Sequence, residues 1–182
     1  MKIHGLLICC LLCIASSLSQ EEQEKIKWQE GRPLTWEDFK AEPDTTLSYS
    51  ANTNSGISYT WNYSTATGVP VLEHEVFTNF YPNKSWVQKD IHDEDYLLKH
   101  EQLHFDISEL HARKLRKALA EYEILRNIRQ DLKRIYNRIE AERVEMQNKF
   151  DRETSHSENK EAERKWREFV KQELKKLAKY SS

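Results

Sequence analysis

The stretch Leu97-Leu98-Lys99-His100-Glu101-Gln102-Leu103-His104-Phe105-Asp106-Ile107 decides how the rest of the chain is read. On a helix, His100 and His104 lie one turn apart on the same face, so both imidazoles can reach one ion. With Glu101 between them they form the H-E-x-x-H pattern of a zinc site. Glu101 sits about 100° round the helix from His100, beside a metal rather than on it. There it can serve as general base for a zinc-activated water and pass the proton to a leaving amine. Leu97 and Leu98 before the motif, and Ile107, Leu110 and Leu115 after it, continue an apolar helix face. Asp93 or Asp95 would cap its start.

A catalytic zinc wants three protein ligands, and the third has to come from elsewhere. His111 is on the same face but about 10.5 Å further along the axis, too far for one ion. Glu109 points away, roughly 140° from His104. A later segment should therefore supply the ligand. His156, in Asp151-Arg152-Glu153-Thr154-Ser155-His156, is the leading candidate, in the most loop-like part of the second half. The competing account of His156 is a polar residue in an exposed connection. Glu153 and Asp151 are fallback ligands or carboxylates that orient a histidine.

This geometry needs a chain that folds back. Residues 83–182 contain neither Gly nor Pro, and one helix from Asp95 to Phe150 would run about 80 Å. Breaks are expected at Asn127, Asn137 or Asp151 to Asn159. The stripe Leu115, Leu119, Tyr122, Leu125, Ile128, Leu132, Ile135 and Ile139 reads as intramolecular core, and a monomer is expected. A last helix from about Glu161 to Tyr180 carries Trp166, Phe169, Val170, Leu174 and Leu177 on one side. Its basic stripe, Lys160, Arg164, Arg167, Lys171 and Lys175, reads as a solvated face.

The first half is different. Thr35 and Asp38 make a helix-start box for a short turn. Ile57, Tyr59, Trp61 and Tyr63 alternate with polar residues as in a half-buried strand. Thr67-Gly68-Val69-Pro70 is a turn. Val71 to Phe80 forms a second strand with Leu72, His74, Val76, Thr78 and Phe80 on one face, closed by Pro82. His74 reads as a packed core histidine, and Ser85-Trp86 as an anchor between sheet and helix. The fold expected is α+β: a small antiparallel sheet packed on a long H-E-x-x-H helix, followed by a helical hairpin, zincin-like.

Lys2 followed by the apolar run Leu6 to Ala15, with Ser17 and Ser19 at the cleavage positions, has the pattern of a signal peptide over residues 1–19. Residues 20–182 would form one domain, β-rich over 20–90 and helical over 91–182. A secreted or periplasmic location follows, with a lipoprotein anchor the lesser alternative. All three cysteines (Cys9, Cys10, Cys13) fall in that leader, so the remainder must rest on its core or a metal rather than disulfides. The formal net charge of −2 gives no field for nucleic acid. A mean hydropathy of −0.85 excludes a polytopic membrane protein, so no stable insertion is expected after cleavage. Asn62 and Asn83 open glycosylation sequons that matter only in a eukaryotic secretory route.

Trp28, Pro33-Leu34-Thr35-Trp36-Glu37-Asp38-Phe39, Lys84-Ser85-Trp86-Val87, the H-E-x-x-H run, and Asp151-Arg152-Glu153-Thr154-Ser155-His156 together resemble the bacterial domain of unknown function 922 family. That family is described as predicted secreted zinc-dependent proteases. Its Asp-x-x-Thr-x-His-Gly pattern implies that His156 is the third ligand, though Ser157 stands here where a glycine is usual. The expectation is a secreted zinc metallopeptidase acting on peptide or protein substrates. Zn2+ would be held by His100, His104 and His156, with Glu101 catalytic. Val71 to Phe80 would be an edge strand aligning an extended peptide, with Tyr81 and Tyr96 as candidate oxyanion donors. The alternatives are a non-catalytic secreted zinc-binding or protein-interaction module with the same fold, and a helical coiled-coil protein with an incidental motif.

Overall fold

Thr35 and Asp38 do form a reciprocal box, with Asp38 Oδ2 accepting from the Thr35 backbone N–H at 2.9 Å, and a single turn of 3-10 helix follows over Trp36–Asp38. Around this turn the chain lays down an antiparallel sheet. In the computed structural model, which describes residues 24–89 and 94–182, strand β4 (Val71–Phe80) pairs with β3 (Ser55–Ser64) along its whole length and with short β1 (Ile26–Lys27) at Asn79 and Phe80. The expected signal peptide and the Asp93 cap lie outside the described residues. A second, two-stranded sheet joins β2 (Ala51–Asn52) to β5 (Trp86–Val87).

The β3–β4 turn places Gly68 at φ 79°, with its N–H donated to Thr65 O at 2.9 Å. That left-handed backbone suits a residue without Cβ. Ile57 and Val76 are buried from the inner face, and Tyr59, Trp61 and Leu72 pack beside them. His74 stays on that face, partly buried, and burial lowers its pKa. The pairing corrects one expectation. β4 is the central strand of the order β1-β4-β3, not an edge; its second side is taken by β1 at Asn79 and Phe80, and its Val76 carbonyl by the Arg116 guanidinium.

Three helices follow: α1 (Glu94–Ala120), α2 (Ile128–Thr154) and α3 (Lys160–Lys176). Asp95 lies within the first turn of α1 rather than at its cap, where a carboxylate favours the positive end of the helix dipole. The first break comes at residues 121–127, with the Asn127 carbonyl accepting from Gln130 and Asp131. Asn137 sits inside α2 and breaks nothing. Asp151 to Thr154 are helical too, because Phe150 is fully buried and anchors the last turn of α2. The loop is only the five residues 155–159, and Asn159 caps α3 by accepting from Ala162 N at 3.1 Å.

α1 is the axis of the molecule. Phe105 packs with Leu34, Phe39 and Phe80; Leu103 and Ile107 pack with Phe150, Trp166 and Val170; Leu115 and Leu119 pack with Leu132, Ile139 and the sheet. Each such side chain, buried from water, contributes on the order of 1.5–3 kcal/mol. The apolar stripe is thus intramolecular core, except that Leu125 lies in the connection and is largely exposed. The buried carboxylate of Glu109 takes hydrogen bonds from Thr78, Arg113 and Arg116, tying α1 to β4. Among the described residues no helix is long and apolar enough to cross a membrane.

Candidate metal centre

His100 and His104 face the same side of α1 because four residues make nearly one turn. Their Nε2 atoms are 3.3 Å apart. Each ring is fixed by its other nitrogen. His100 Nδ1 lies 2.9 Å from Glu163 Oε2, a fully buried carboxylate on α3. His104 Nδ1 meets Gln147 Oε1 on α2. The Gln147 amide is itself oriented, since its Nε2 donates to the His104 carbonyl at 2.8 Å. Acceptors at both Nδ1 positions place the proton there and leave both Nε2 lone pairs aimed at one point. The Phe150 ring lies beneath both imidazoles, at 4.5 and 4.9 Å between centroids.

The third donor to arrive is Asp151, one turn beyond Gln147 on α2. Its Oδ1 is 2.9 Å from His104 Nε2 and 3.4 Å from His100 Nε2. Among the described residues, His100, His104 and Asp151 are the group whose ligand atoms lie mutually within 4.8 Å, so these three could hold a metal ion. The structure therefore brings Asp151 to the histidine pair where the sequence favoured His156. The reason is the extra helical turn: with α2 continuing through Thr154, Asp151 faces α1 and His156 falls beyond it. His156 still lines the same cavity, its Nδ1 3.7 Å from Asp151 Oδ1. Glu153 is directed elsewhere, accepting from Trp166 Nε1 at 2.8 Å. His111 is fully buried, bonded through Nδ1 to the Ile107 carbonyl at 2.8 Å.

Without an ion the cluster is a proton trap. Burial lowers the pKa of His100, but hydrogen bonds to Asp151 and Glu163 and the charge of Glu101 overcome it and raise the value to about 9. Burial raises that of Asp151, and the two histidines more than offset this, holding its carboxyl well below the usual range. The paired lone pairs and the carboxylate that hold this proton offer the same negative focus that could hold a cation.

Glu101 completes the arrangement. It is 3% exposed, and its Oε2 is buried with no hydrogen-bond partner among the described residues. An unpaired buried carboxylate oxygen costs stability, and this one belongs to the cavity that holds the three donors. That cavity, about 250 Å³, runs between α1, α2 and the segment around β2, with Tyr49, Ala51 and Thr53 on its far wall. Thr53 Oγ1 donates to the Glu101 carbonyl at 3.2 Å, clamping that wall to the helix. Neither Tyr81 nor Tyr96 is among its lining residues. Tyr49 is, stacked between Trp86 and His156 at centroid distances of 5.6 and 5.1 Å. Sequence reasoning missed Glu163, Gln147 and Tyr49. Glu163 was hidden in a helix dense with charge, and its one signal is an acid set beside the basic stripe, three residues after Lys160 and four before Arg167.

The profile of a family described as "Bacterial protein of unknown function (DUF922)" matches residues 34–157, a span that contains β2 to β5, α1 and all of α2. No curated protein and no solved structure gives a significant match.

Proposed function

The chain belongs to the DUF922 family of bacterial proteins of unknown function, and from that premise we propose that it is a zinc-dependent peptidase. His100, His104 and Asp151 would hold the ion, and Glu101 would be the general base. The observation that carries this reading is one cavity with three convergent ligand atoms and a buried, unpartnered carboxylate oxygen. Ligands of a tetrahedral zinc with bonds of about 2.0–2.1 Å stand about 3.3 Å apart. The three separations here are 3.3, 3.4 and 2.9 Å. Two imidazoles and one carboxylate also leave a coordination position open, as a catalytic zinc requires.

When bound, zinc supplies Lewis acidity that polarises a substrate carbonyl and makes a water more acidic. Glu163 and Gln147 hold the Nδ1 protons of His100 and His104, so the two rings present their lone pairs in fixed directions. Glu101 takes a proton from the attacking water while its oxygen adds to the scissile carbonyl carbon. It then hands that proton to the amide nitrogen as the C–N bond breaks, leaving a carboxylic acid and an amine. The substrate-aligning edge passes from β4 to β2. Gln88 N donates to Ser50 O at 2.7 Å. The alternation of an antiparallel ladder then turns the N–H and C=O of Ala51 away from β5, and Ala51 lines the cavity. An extended peptide can pair there by strand addition.

The test is elemental analysis and activity on chelator-stripped protein. One zinc should be taken up per chain, and the loaded protein should cleave a mixed fluorogenic peptide library. Glu101→Gln should keep the zinc and lose roughly 10²- to 10⁴-fold in kcat. Absence of zinc uptake, or full activity in Glu101→Gln, overturns the reading. Zinc uptake with no hydrolysis by the wild type would leave the non-catalytic zinc-binding module instead.

A further inference from the structure

His156 differs from the two metal-facing histidines in how it is held. His100 and His104 are each pinned through Nδ1 to a side-chain oxygen. The His156 ring is held by its face instead, stacked on Tyr49 at 5.1 Å and 19°, with Tyr49 stacked on buried Trp86 at 5.6 Å and 13°. Neither ring nitrogen has a hydrogen-bond partner among the described residues. The contact with Asp151 Oδ1, at 3.7 Å, is beyond hydrogen-bond range. The side chain is 49% exposed and lines the cavity that contains Glu101 and the ligand trio. A ring held by one face against Tyr49, with its polar edge uncommitted and lining the cavity, is positioned for a group that is not part of the protein.

The backbone is bent to put it there. Ser155, His156 and Ser157 have φ of 50°, 50° and 78°, three left-handed residues in succession without a glycine. L side chains adopt such backbone only under strain. The turn is retained by the bonds of His156 N to Asp151 O at 3.1 Å and of Asn159 N to Thr154 O at 2.7 Å. It swings residue 156 back past the end of α2 to the cavity mouth, beside the carboxylate that completes the donor set.

We propose that His156 is not a metal ligand but a catalytic hydrogen-bond donor, whose imidazole N–H meets the carbonyl oxygen of a bound peptide as that oxygen gains negative charge. This rests on the peptidase reading and deepens it. The proton stays on His156 throughout. The bonds that change are those of water, the carbonyl carbon and the leaving amine, with Glu101 moving the proton. Preorganised donors of this kind stabilise the transition state more than the ground state, so their removal appears in kcat rather than in KM.

The experiment compares wild type, His156→Ala, His156→Gln and Asp151→Ala in zinc affinity, by competition with a chromophoric chelator, and in kinetics on the fluorogenic peptide library. His156→Ala should bind zinc within about threefold of wild type, whereas Asp151→Ala should lose at least a hundredfold. The kcat of His156→Ala should fall by roughly 10²- to 10³-fold with KM changed only a few-fold. His156→Gln, which keeps an N–H donor, should recover about tenfold. Circular dichroism of each variant checks folding. Zinc loss in His156→Ala equal to that in Asp151→Ala would make His156 a ligand and overturn the inference. Unchanged kcat in His156→Ala, or a loss seen wholly in KM, would overturn it too. In all these cases an active wild type leaves the peptidase reading standing. A wild type that binds zinc and cleaves nothing removes that reading, and the donor role falls with it.

Discussion

Glu163 shows how one buried side chain sets the character of a site it does not enter. It is fully buried, bonded to His100 Nδ1 at 2.9 Å, with the Arg167 guanidinium 4.0 Å from its other oxygen. A carboxylate at that nitrogen makes the opposite one more basic and fixes the ring's orientation. Glu163→Gln can also accept from Nδ1–H, but without the charge. We expect it to weaken zinc binding about 10-fold and Glu163→Ala nearer 100-fold, as measured by chelator competition. Equal, small losses in both would mean that packing alone holds the ring. That His100 and His104 share a site was legible in the sequence because the relation is local: four residues, one turn. The roles of Glu163 and Gln147 were not, because each depends on which face of a distant helix meets α1, and spacing carries no such information.

Among the elements, the end of α2 is the instructive one. Residues 151–159 are polar, and composition alone reads them as a loop that could carry a ligand at His156. The structure continues the helix through Thr154, because buried Phe150 holds the last turn and Thr154 Oγ1 donates back to the Phe150 carbonyl at 2.8 Å. Four additional helical residues are enough to exchange Asp151 for His156 as the donor nearest the pair. In the β3–β4 hairpin, β4 was legible down to its ends and β3 to within two residues, since period-two alternation and turn residues are local signals. Which strand lies at the sheet's edge was not, because β1 pairs with residues more than 50 positions away, Ile26 with Phe80 and Lys27 with Asn79. The turn itself yields a prediction. Ser157, at φ 78°, occupies backbone that glycine adopts without strain. Ser157→Gly should raise stability by up to about 1 kcal/mol, the relieved strain exceeding the extra entropy of the unfolded glycine. Urea unfolding should show a higher midpoint with unchanged slope. A lower midpoint would mean that the Ser157 side chain, not its backbone, serves the turn.

At the scale of the whole molecule, two buried histidines on α1 work in opposite directions, and stability should record both. Burial pushes the His111 pKa down to about 4; the Ile107 carbonyl raises it, and the Lys114 ammonium 3.2 Å from Nε2 lowers it again. Its folded value lies below the unfolded value of about 6.5, so between those limits the unfolded chain binds the extra proton. Stability from this group is therefore complete above pH 6.5 and is lost as pH falls toward 4, by up to about 3 kcal/mol. His100 has the reverse sign. In the metal-free protein its folded pKa of about 9 lies above the unfolded value. Its contribution is present below pH 6.5 and disappears as pH rises through 9. Metal-free protein should thus be most stable near pH 6.5, with thermal midpoints falling on both sides. On the proposed reading zinc would displace the His100 proton, so saturating zinc should raise the midpoint most on the alkaline side and flatten that limb, releasing protons as it binds. The acid limb belongs to His111 and should survive metal loading but shrink in His111→Gln. Thermal melts of stripped and zinc-loaded protein between pH 5 and 9 check each limb separately. An alkaline limb indifferent to zinc would show that the proton and the ion do not share His100.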